Sequence, residues 1–264
     1  MSGSTRPRDV ARHFKASAGG YDRVADFQRT VADGLLQRLA PLPPGARVLD
    51  VGAGTGFVAE RLGRDYGAPE VVAVDLVHEM LKEARIRFQG PSIQADAEQL
   101  PIKARCCDLV VSNLCLQWCP SFLRAMTEFG RVLRPGGQLL ISTLGPATLT
   151  ELKAAWSAVD RFAHVIDFES VSTVVEGLKT AGFGEIELEV QAIQRHYPSV
   201  LALLKELKQL GARNASSLRS TRLTSPRQLA AMMARYQESE RLSTGEIPAT
   251  FEVILVRATK PREK

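Results

Sequence analysis

VLDVGAGTGFVAERL, residues 48–62, is the stretch on which the fold turns. Val48-Leu49-Asp50-Val51 reads as a short strand. It runs into Gly52-Ala53-Gly54-Thr55-Gly56, and a helix is predicted over residues 57–62. Glycine at a strand-to-helix turn removes the Cβ, so a ligand can lie close against the backbone. The N–H groups of the first helical turn have no intrahelical partner and are expected to face that ligand. The stretch is a nucleotide-cofactor turn. Alone, Asp-x-Gly-x-Gly-x-Gly fits a nicotinamide or flavin nucleotide as well as a sulfonium nucleoside.

Working outward, residues 10–39 read as one or two amphipathic helices broken near Gly19-Gly20, and Pro41, Pro43, Pro44 and Gly45 punctuate the entry to the first strand. Beyond the glycine turn come a strand over 70–75, a helix over 78–88 and a brief strand over 91–95. A nearly all-apolar strand over 108–112 has the character of one buried on both faces. A helix over 121–133 stops at Arg134-Pro135-Gly136-Gly137, and a fifth strand follows over 138–144. Strands alternating with helices at this spacing imply a parallel sheet with right-handed crossovers. The second half differs. Helices are expected over 148–159, 170–181 (stopped by Gly182), 200–210 and 226–236. Ser225, Pro226 and Gln228 give the last a capping box. An alternating strand spans 186–193, and a final strand at 251–258 closes the sheet. The expected organisation is a single domain over 1–264, with an N-terminal helical segment at 8–40, a cofactor core at 45–145, and helices plus the last two strands at 146–264.

Three features past the glycines narrow the cofactor. Asp75 ends the second strand, about 20 residues on, where a carboxylate takes both ribose hydroxyls. Asp96-Ala97-Glu98 follows the third strand, where a carboxylate accepts from an adenine amino group and the next N–H donates to the ring. Asn113 stands at the carboxyl end of the fourth strand, the edge where open α/β sheets bind ligands. No pyrophosphate is needed to explain this set, and no basic residue stands near the glycines to meet one. The candidate cofactor residues are Asp50, Gly52, Ala53, Gly54, Gly56, Asp75, Leu76, Asp96, Ala97 and Asn113. Bland roles stand beside these: Asp50 as a brace for the loop, Asp75 as a solvated carboxylate, Asp96 as a helix cap, and Met80 as core packing.

Composition sets the limits. The 264 residues are 45% hydrophobic and 24% charged, with a formal charge of +5. That is an ordinary globular composition. No apolar run approaches the ~20 residues needed to cross a bilayer. The N-terminus, MSGSTRPRDVARHF, lacks a signal peptide's apolar core, so a cytoplasmic protein is expected, although its Arg and Ser content also fits a transit segment. Cys106, Cys107, Cys115 and Cys119 lack metal or redox spacing and read as buried, reduced thiols beside a strand. His13, His78, His164 and His196 form no acid–base pair by spacing, and no metal or nucleic-acid site is expected.

Together, residues 48–145 resemble the class I S-adenosylmethionine-dependent methyltransferases, a Rossmann-like α/β fold. Arg131-Val132-Leu133-Arg134-Pro135-Gly136-Gly137 strengthens this, since that fold typically carries such a turn before its fifth strand. The resemblance implies a mostly parallel seven-stranded sheet with helices on both faces and S-adenosyl-L-methionine as cofactor.

A closer resemblance covers nearly the whole chain. Its residues are Phe14 with Tyr21-Asp22, Phe27-Gln28-Arg29, Asn113-Leu114-Cys115-Leu116-Gln117-Trp118-Cys119, Leu149-Thr150-Glu151-Leu152, Ala155-Trp156 and Leu204-Lys205-Glu206-Leu207-Lys208. This order is similar to the malonyl-acyl carrier protein O-methyltransferases of biotin synthesis. The resemblance implies methylation of the free carboxylate of malonyl-acyl carrier protein, an acidic protein substrate. It places Tyr21 and Gln28 on a segment closing over the cofactor, and makes the helical additions a lid. Tyr21, Asn113, Gln117 and Trp118 would position the reactants, with no general base. A carboxylate is ionised at pH 7, since its pKa lies near ~4. For Tyr21 and Trp118 plain packing stands as the alternative. His164, Arg195, Lys205, Lys208 and Arg219 are the candidate substrate cations, and Lys205, Lys208 and Arg213 also suit an acidic carrier's surface. The stretches His164-Val165-Ile166-Asp167-Phe168 and Arg213-Asn214-Ala215-Ser216-Ser217 depart from that family's pattern. Two other readings stay open: the same cofactor with a different acceptor (another carboxylate, a small molecule or a protein arginine), and a non-catalytic assembly factor with this fold.

Overall fold

The structure is a computed structural model that describes residues 7–68, 70–210, 224–240 and 242–262. Its centre is a seven-stranded sheet in the order β3-β2-β1-β4-β5-β7-β6. The strands are β1 (Arg47–Val51), β2 (Glu70–Asp75), β3 (Ser92–Gln94), β4 (Cys107–Asn113), β5 (Leu133–Leu144), β6 (Gly184–Tyr197) and β7 (Ile247–Thr259). The first five are parallel, and β7 runs antiparallel to both β5 and β6. The helices are α1 (Pro7–Ser17), α2 (Asp26–Leu36), α3 (Phe57–Asp65), α4 (His78–Arg87), α5 (Phe122–Val132), α6 (Thr150–Ser157), α7 (Val171–Thr180), α8 (Val200–Gln209) and α9 (Pro226–Glu240). A 3-10 turn, Ala18–Arg23, joins α1 to α2.

Strand periodicity of two sorts the core onto the two faces of the sheet. Leu109, Val111, Leu140, Val253 and Leu255 face one cluster, with Leu35 of α2, Leu62 of α3, Trp156 of α6, Leu203 of α8 and Tyr236 of α9. Val110, Leu139, Ile141, Ile254 and Val256 face the other, with Met126 and Phe129 of α5 and Leu178 of α7. Each fully buried aliphatic side chain contributes roughly 1.5–3 kcal/mol, so residues 109–111, buried without interruption, anchor the middle of the sheet.

Three strands, β5, β6 and β7, are markedly longer than the sequence pattern suggests. β5 begins at Leu133 because Leu133 already pairs with Cys107, before the register jumps to Leu109 and Gln138. The intervening Arg134–Gly137 excursion stays bonded: Gly136 N donates to Lys260 O at 2.7 Å and Lys260 N to Gly137 O at 2.8 Å. β6 runs on through Gln194, Arg195 and His196 because β7 pairs with it as far as Tyr197 opposite Ile247. The capping box holds as expected, with Gln228 N donating to Ser225 Oγ at 3.2 Å and Ser225 N to Gln228 Oε1 at 3.0 Å.

Chain order sets the site. After β1 the chain moves outward to β2 and β3, then returns to place β4 on β1's other side. Ligands of open α/β sheets bind at such a switch point, outside the carboxyl ends of the strands. The loops after β1, β2 and β4 meet there.

Candidate active site

Gly52, Gly54 and Gly56 all adopt left-handed φ angles, +74°, +54° and +80°, where a side chain is strained. They serve different ends. A Cβ at Gly52 would overlap the Cys115 side chain, and one at Gly56 would come within 3.0 Å of Ala84 Cβ on α4. At Gly54 a Cβ would meet nothing within 4 Å. Only Gly54 therefore leaves open space for a ligand, and Gly56 packs α3 against α4 and lines none of the cavities described below.

The expectation that the first-turn N–H groups of α3 face a ligand is corrected at Ala59, and N–H groups of the loop itself are also engaged within the protein. Gly52 N and Ala53 N donate to Val74 O, and Gly56 N donates to Ala53 O. Gly54 N donates to Asp75 Oδ2 at 2.8 Å, and Ala59 N in the first turn of α3 donates to Asp50 Oδ2 at 3.0 Å. A pyrophosphate cradle draws on such groups, and these five are not available to one.

A cavity of about 100 Å³ opens over this edge, lined by Gly52, Gly54, Asp75, Leu76, Asp96, Ala97 and Asn113, with Pro7, Val10, Phe14 and Tyr21 as the opposite wall. Asp75 is fixed from below, Oδ1 accepting from Val77 N at 2.8 Å. Burial raises its pKa, and the Val77 and Gly54 N–H groups work against that rise. Asp96 lines the cavity, and no helix follows it for it to cap: its Oδ1 accepts from Glu98 N at 2.9 Å within a tight turn. Met80 is core, 1% exposed.

A smaller adjoining cavity of about 50 Å³ is lined by Asp50, Ala53, Gly54, Gln28 and Tyr21. Asp50 is 1% exposed, so it braces α3 and also faces this space. Burial raises its pKa to about 7; the Ala59 N–H opposes the shift and nearby Asp75 adds to it. Gln28 Oε1 is buried with no hydrogen-bond partner. An orphaned acceptor is costly unless a ligand supplies the donor. A cofactor with a charged amino group and two ribose hydroxyls meets the orphaned Gln28 oxygen and the Asp50 and Asp75 carboxylates, so the residues present fit S-adenosyl-L-methionine.

A third cavity, about 290 Å³, lies on the side of α6 and α8 and is mostly apolar. Leu149, Leu152, Trp156, Ile166, Phe168, Leu204 and Phe251 contribute to its wall. It shares Phe14, Tyr21, Leu114 and Trp118 with the cofactor cavity. Tyr21 lines all three spaces. Burial, then the carboxylates of Asp75 and Asp22, raise its hydroxyl pKa, so it remains a neutral donor. Trp118 is half-buried, edge-on to Phe14 with ring centroids 5.4 Å apart, and lines both larger cavities.

The other candidates prove more committed than the sequence suggests. Asn113 Nδ2 donates to Gln28 O at 3.0 Å, and its Oδ1 accepts from Ser142 Oγ at 2.8 Å, so it ties α2 to the sheet edge. Gln117 lines the apolar cavity, but its Nε2 donates to Leu114 O at 2.8 Å. His164 lines the same cavity, its ring stacked on Trp156 at 3.6 Å and 4°. Its Nε2 lies 2.9 Å from Asp160 Oδ1, an acid–base pair four residues apart that the spacing argument did not find. Burial opposes ionisation of Asp160, yet the Phe162 N–H and His164 hold its carboxyl below the usual range. Arg195 lines the cavity already paired with Glu206, which also accepts from Tyr197 OH at 2.9 Å. Lys208 lines the cavity with an exposed side chain, whereas Lys205 is exposed and lines none of these cavities, so the structure does not bring it to the site. Arg219, Arg213 and the stretch 213–217 lie outside the described residues.

The cysteines differ from expectation. Cys107 alone is buried; Cys115 and Cys119 line the cofactor cavity. A sulfur hydrogen bond to Cys115, with burial second, raises the Cys119 pKa. Sequence reasoning also missed Thr55 and Asp22. Thr55 is a polar side chain 5% exposed in a glycine loop, and its hydroxyl donates to Asp22 Oδ1 at 2.7 Å. The available signal was the position of both residues beside cofactor candidates. Among the described residues no group of three or more His, Cys, Asp or Glu side chains is placed to hold a metal ion.

A mostly parallel sheet with its switch point between β1 and β4, a glycine loop whose Gly52, Ala53, Gly54 and Gly56 N–H groups are engaged within the protein, and Asp75 lining the cavity at that strand edge define an S-adenosyl-L-methionine-dependent methyltransferase of the class I fold. The family model for the methyltransferase domain matches residues 49–141. A putative methyltransferase from Bacillus halodurans C-125 superimposes with a TM-score of 0.63 at 21% identity, covering 88% of this chain and 99% of that one. The malonyl-[acyl-carrier protein] O-methyltransferase of Methylococcus capsulatus is 42% identical over 258 residues, 96% of this chain and 94% of its own. The Biotin biosynthesis bifunctional protein BioHC of Cellvibrio japonicus is 39% identical over 255 residues, 96% of this chain and 50% of its own. The chain belongs to the malonyl-[acyl-carrier protein] O-methyltransferase family.

Proposed function

We propose that this methyltransferase esterifies the free carboxylate of a malonyl group carried on acyl carrier protein, as a step of biotin biosynthesis. The relatives' names support that acceptor. The observation that carries the reading is the wall shared by the cofactor and apolar cavities. It consists of Phe14, Tyr21, Leu114 and Trp118, with no carboxylate and no histidine among them. An amine or hydroxyl acceptor needs a base at the point of transfer. A carboxylate, with a pKa near ~4, arrives ionised and needs none.

When bound, S-adenosyl-L-methionine supplies an electrophilic methyl group on a sulfonium. The chain's own part is binding and orientation. Asp75, held by the Gly54 and Val77 N–H groups, presents its carboxylate to the ribose. Asp50 and Gln28 Oε1 receive the amino group, and Asp96 with Ala97 receives the adenine. The Tyr21 hydroxyl stays protonated and donates to one carboxylate oxygen of the acceptor, while Trp118 and Phe14 wall the reacting pair from water. Asn113 and Gln117 hold the surrounding loops. Fixing two reactants in line is worth roughly 7–11 kcal/mol, and excluding water sharpens the charge interactions inside. The apolar cavity accepts the arm that carries the thioester, and Lys208 stands at its rim. His164, backed by Asp160, favours a second reading, an acceptor that must lose a proton, because the His164 ring lines the apolar cavity. On the leading reading the enzyme works in the cytoplasm; among the described residues no helix is long and apolar enough to cross a membrane.

The test offers methyl-labelled cofactor with malonyl carrier protein, malonyl coenzyme A and free malonate. Base-labile label on the carrier protein is expected. Label in none of the three overturns the reading.

A further inference from the structure

The carboxylate of Asp22 joins parts of the molecule that surround the cofactor cavity. Its Oδ1 accepts from the Thr55 hydroxyl at 2.7 Å, and its Oδ2 accepts from the guanidinium of Arg87 at the end of α4. Arg29 of α2 donates to the Asp22 main-chain oxygen at 2.7 Å and lies 3.4 Å from Oδ1. The 3-10 turn that carries Asp22 has little apolar anchorage. Ala18 is its one buried residue, and Val10 is the one buried residue of α1. Another polar tie of this wall is Lys15 to Glu79 at 2.7 Å. A segment fastened by half-exposed polar contacts opens at low cost compared with one packed into the core.

Two neighbours give the clamp its meaning. Thr55 follows Gly54, the loop glycine with open space above it. Tyr21 precedes Asp22 and lines the cofactor and apolar cavities together. We propose that Asp22 is a positioning residue: through Thr55 it couples occupancy of the glycine loop to the placement of Tyr21. A ligand seated on Gly54 steadies the loop and with it the Thr55 hydroxyl. Thr55 then holds Asp22, and the adjoining Tyr21 is set in the wall that the two cavities share. Coupling of this kind is reciprocal, so a clamped turn also retains the cofactor. The Arg29 and Arg87 pairs are partly exposed and screened. The Thr55 bond is part-buried, with Thr55 itself 5% exposed, so loss of Asp22 leaves the Thr55 hydroxyl without its partner, whereas Asp22 keeps its two arginines when that hydroxyl is removed.

Thr55→Val removes the hydroxyl and keeps the shape; Asp22→Ala removes the whole clamp. Cofactor affinity by calorimetry and hydrogen exchange of residues 18–24, with and without S-adenosyl-L-methionine, are the readouts. In the unaltered protein the cofactor is expected to slow exchange in that turn. In Thr55→Val, affinity falls about tenfold, as for one buried hydrogen bond lost, and the cofactor-induced slowing disappears. The melting temperature falls by no more than about 4 °C, the shift that one lost hydrogen bond produces at this chain length. Asp22→Ala shows the same pattern with a larger loss. Wild-type affinity in both variants overturns the proposal. So does weakened affinity with the slowing intact, or a lowered melting temperature as the only change. If Asp22→Ala does not fold, Thr55→Val decides alone. No acyl substrate enters the test, so its outcome is separate from the identity of the acceptor.

Discussion

The cofactor cavity and the apolar cavity share one wall and are built on opposite principles. The first is made of backbone. Its floor comes from short loops at the ends of β1, β2, β3 and β4, and main-chain N–H groups hold its carboxylates, as at Asp75 and Asp50. The second is made of side chains from α2, α6, α8 and β7, segments far apart in the chain. Two of its polar groups are paired with side chains, His164 with Asp160 and Arg195 with Glu206. A backbone-built site fixes one ligand closely. A wall of apolar side chains instead holds a flexible arm by shape, and leaves discrimination to the few polar groups at its ends.

Trp156 tests that separation with the largest effect. It is 7% exposed, stacks on His164 and belongs to the apolar cavity's wall. Trp156→Ala is expected to cost about 3–5 kcal/mol of stability, read by thermal or urea melting, and to raise KM for the acyl substrate. Cofactor affinity measured well below the melting temperature should stay within about twofold, since sites without shared partners behave additively. An equal loss in both affinities would show that the cavities are one cooperative unit.

The paired glycines cut within the backbone-built half. Gly52→Ala combines left-handed strain with a Cβ inside Cys115, so it should destabilise the fold by about 3 kcal/mol. Gly54→Ala carries the strain alone, about 1 kcal/mol, because nothing lies within 4 Å of the added methyl. Its damage should appear instead in calorimetry as lost cofactor affinity. Unchanged affinity in Gly54→Ala would remove the ligand from the place assigned to it.

The same contrast explains what was legible. Val48-Leu49-Asp50-Val51, the glycines, Asp75 and Asp96 all mark ends of strands, where a local pattern of period two meets a turn residue; such signals survive in sequence. The sheet's first five strands follow from them, and β7's antiparallel entry allows the last two to pair. What was not legible depends on contacts between remote segments. Nothing near Lys205 and Lys208 says that only Lys208 reaches the cavity, since that is set by how α8 packs on the sheet. The pairing of His164 with Asp160 depends on an irregular segment after α6 that has no periodicity to read. Asp22 was visible as a neighbour of Tyr21, but its partners Thr55 and Arg87 lie 33 and 65 residues away.

Asp50 sharpens the comparison through pH. Its pKa is raised by burial to about 7, above the ~4 of an unfolded aspartate. The folded protein therefore binds the proton more tightly than the unfolded chain. This group's contribution to cofactor-free stability is fully present below about pH 4 and is lost as pH rises toward 7. Binding runs the other way. Asp50 must be ionised to receive the cofactor's amino group, which stays protonated to about pH 8. Cofactor affinity should thus fall by up to about tenfold per pH unit below 7, and Asp50→Asn should flatten that dependence in calorimetric titrations. A pH-independent affinity in the unaltered protein would leave Asp50 as a brace for α3 alone.

The smallest effect separates contact from steering at the rim of the apolar cavity. Lys205 and Lys208 are both exposed on α8, less than one turn apart, but Lys208 alone lines the cavity. If the acidic carrier is only steered, the two positive charges are equivalent. Lys205→Gln and Lys208→Gln should then each raise KM for malonyl carrier protein about twofold at low salt, and both effects should vanish near 0.5 M salt, where screening reaches within ~5 Å. If Lys208 meets the phosphate that anchors the carrier's arm, its effect is larger and survives the salt, while that of Lys205 does not. The geometry favours the second pattern, because a charge at the mouth of a low-dielectric cavity is screened less than one on an open helix face. Equal salt-sensitive losses in the two variants would leave the arm's phosphate outside the structure's grip and reduce α8 to an electrostatic guide.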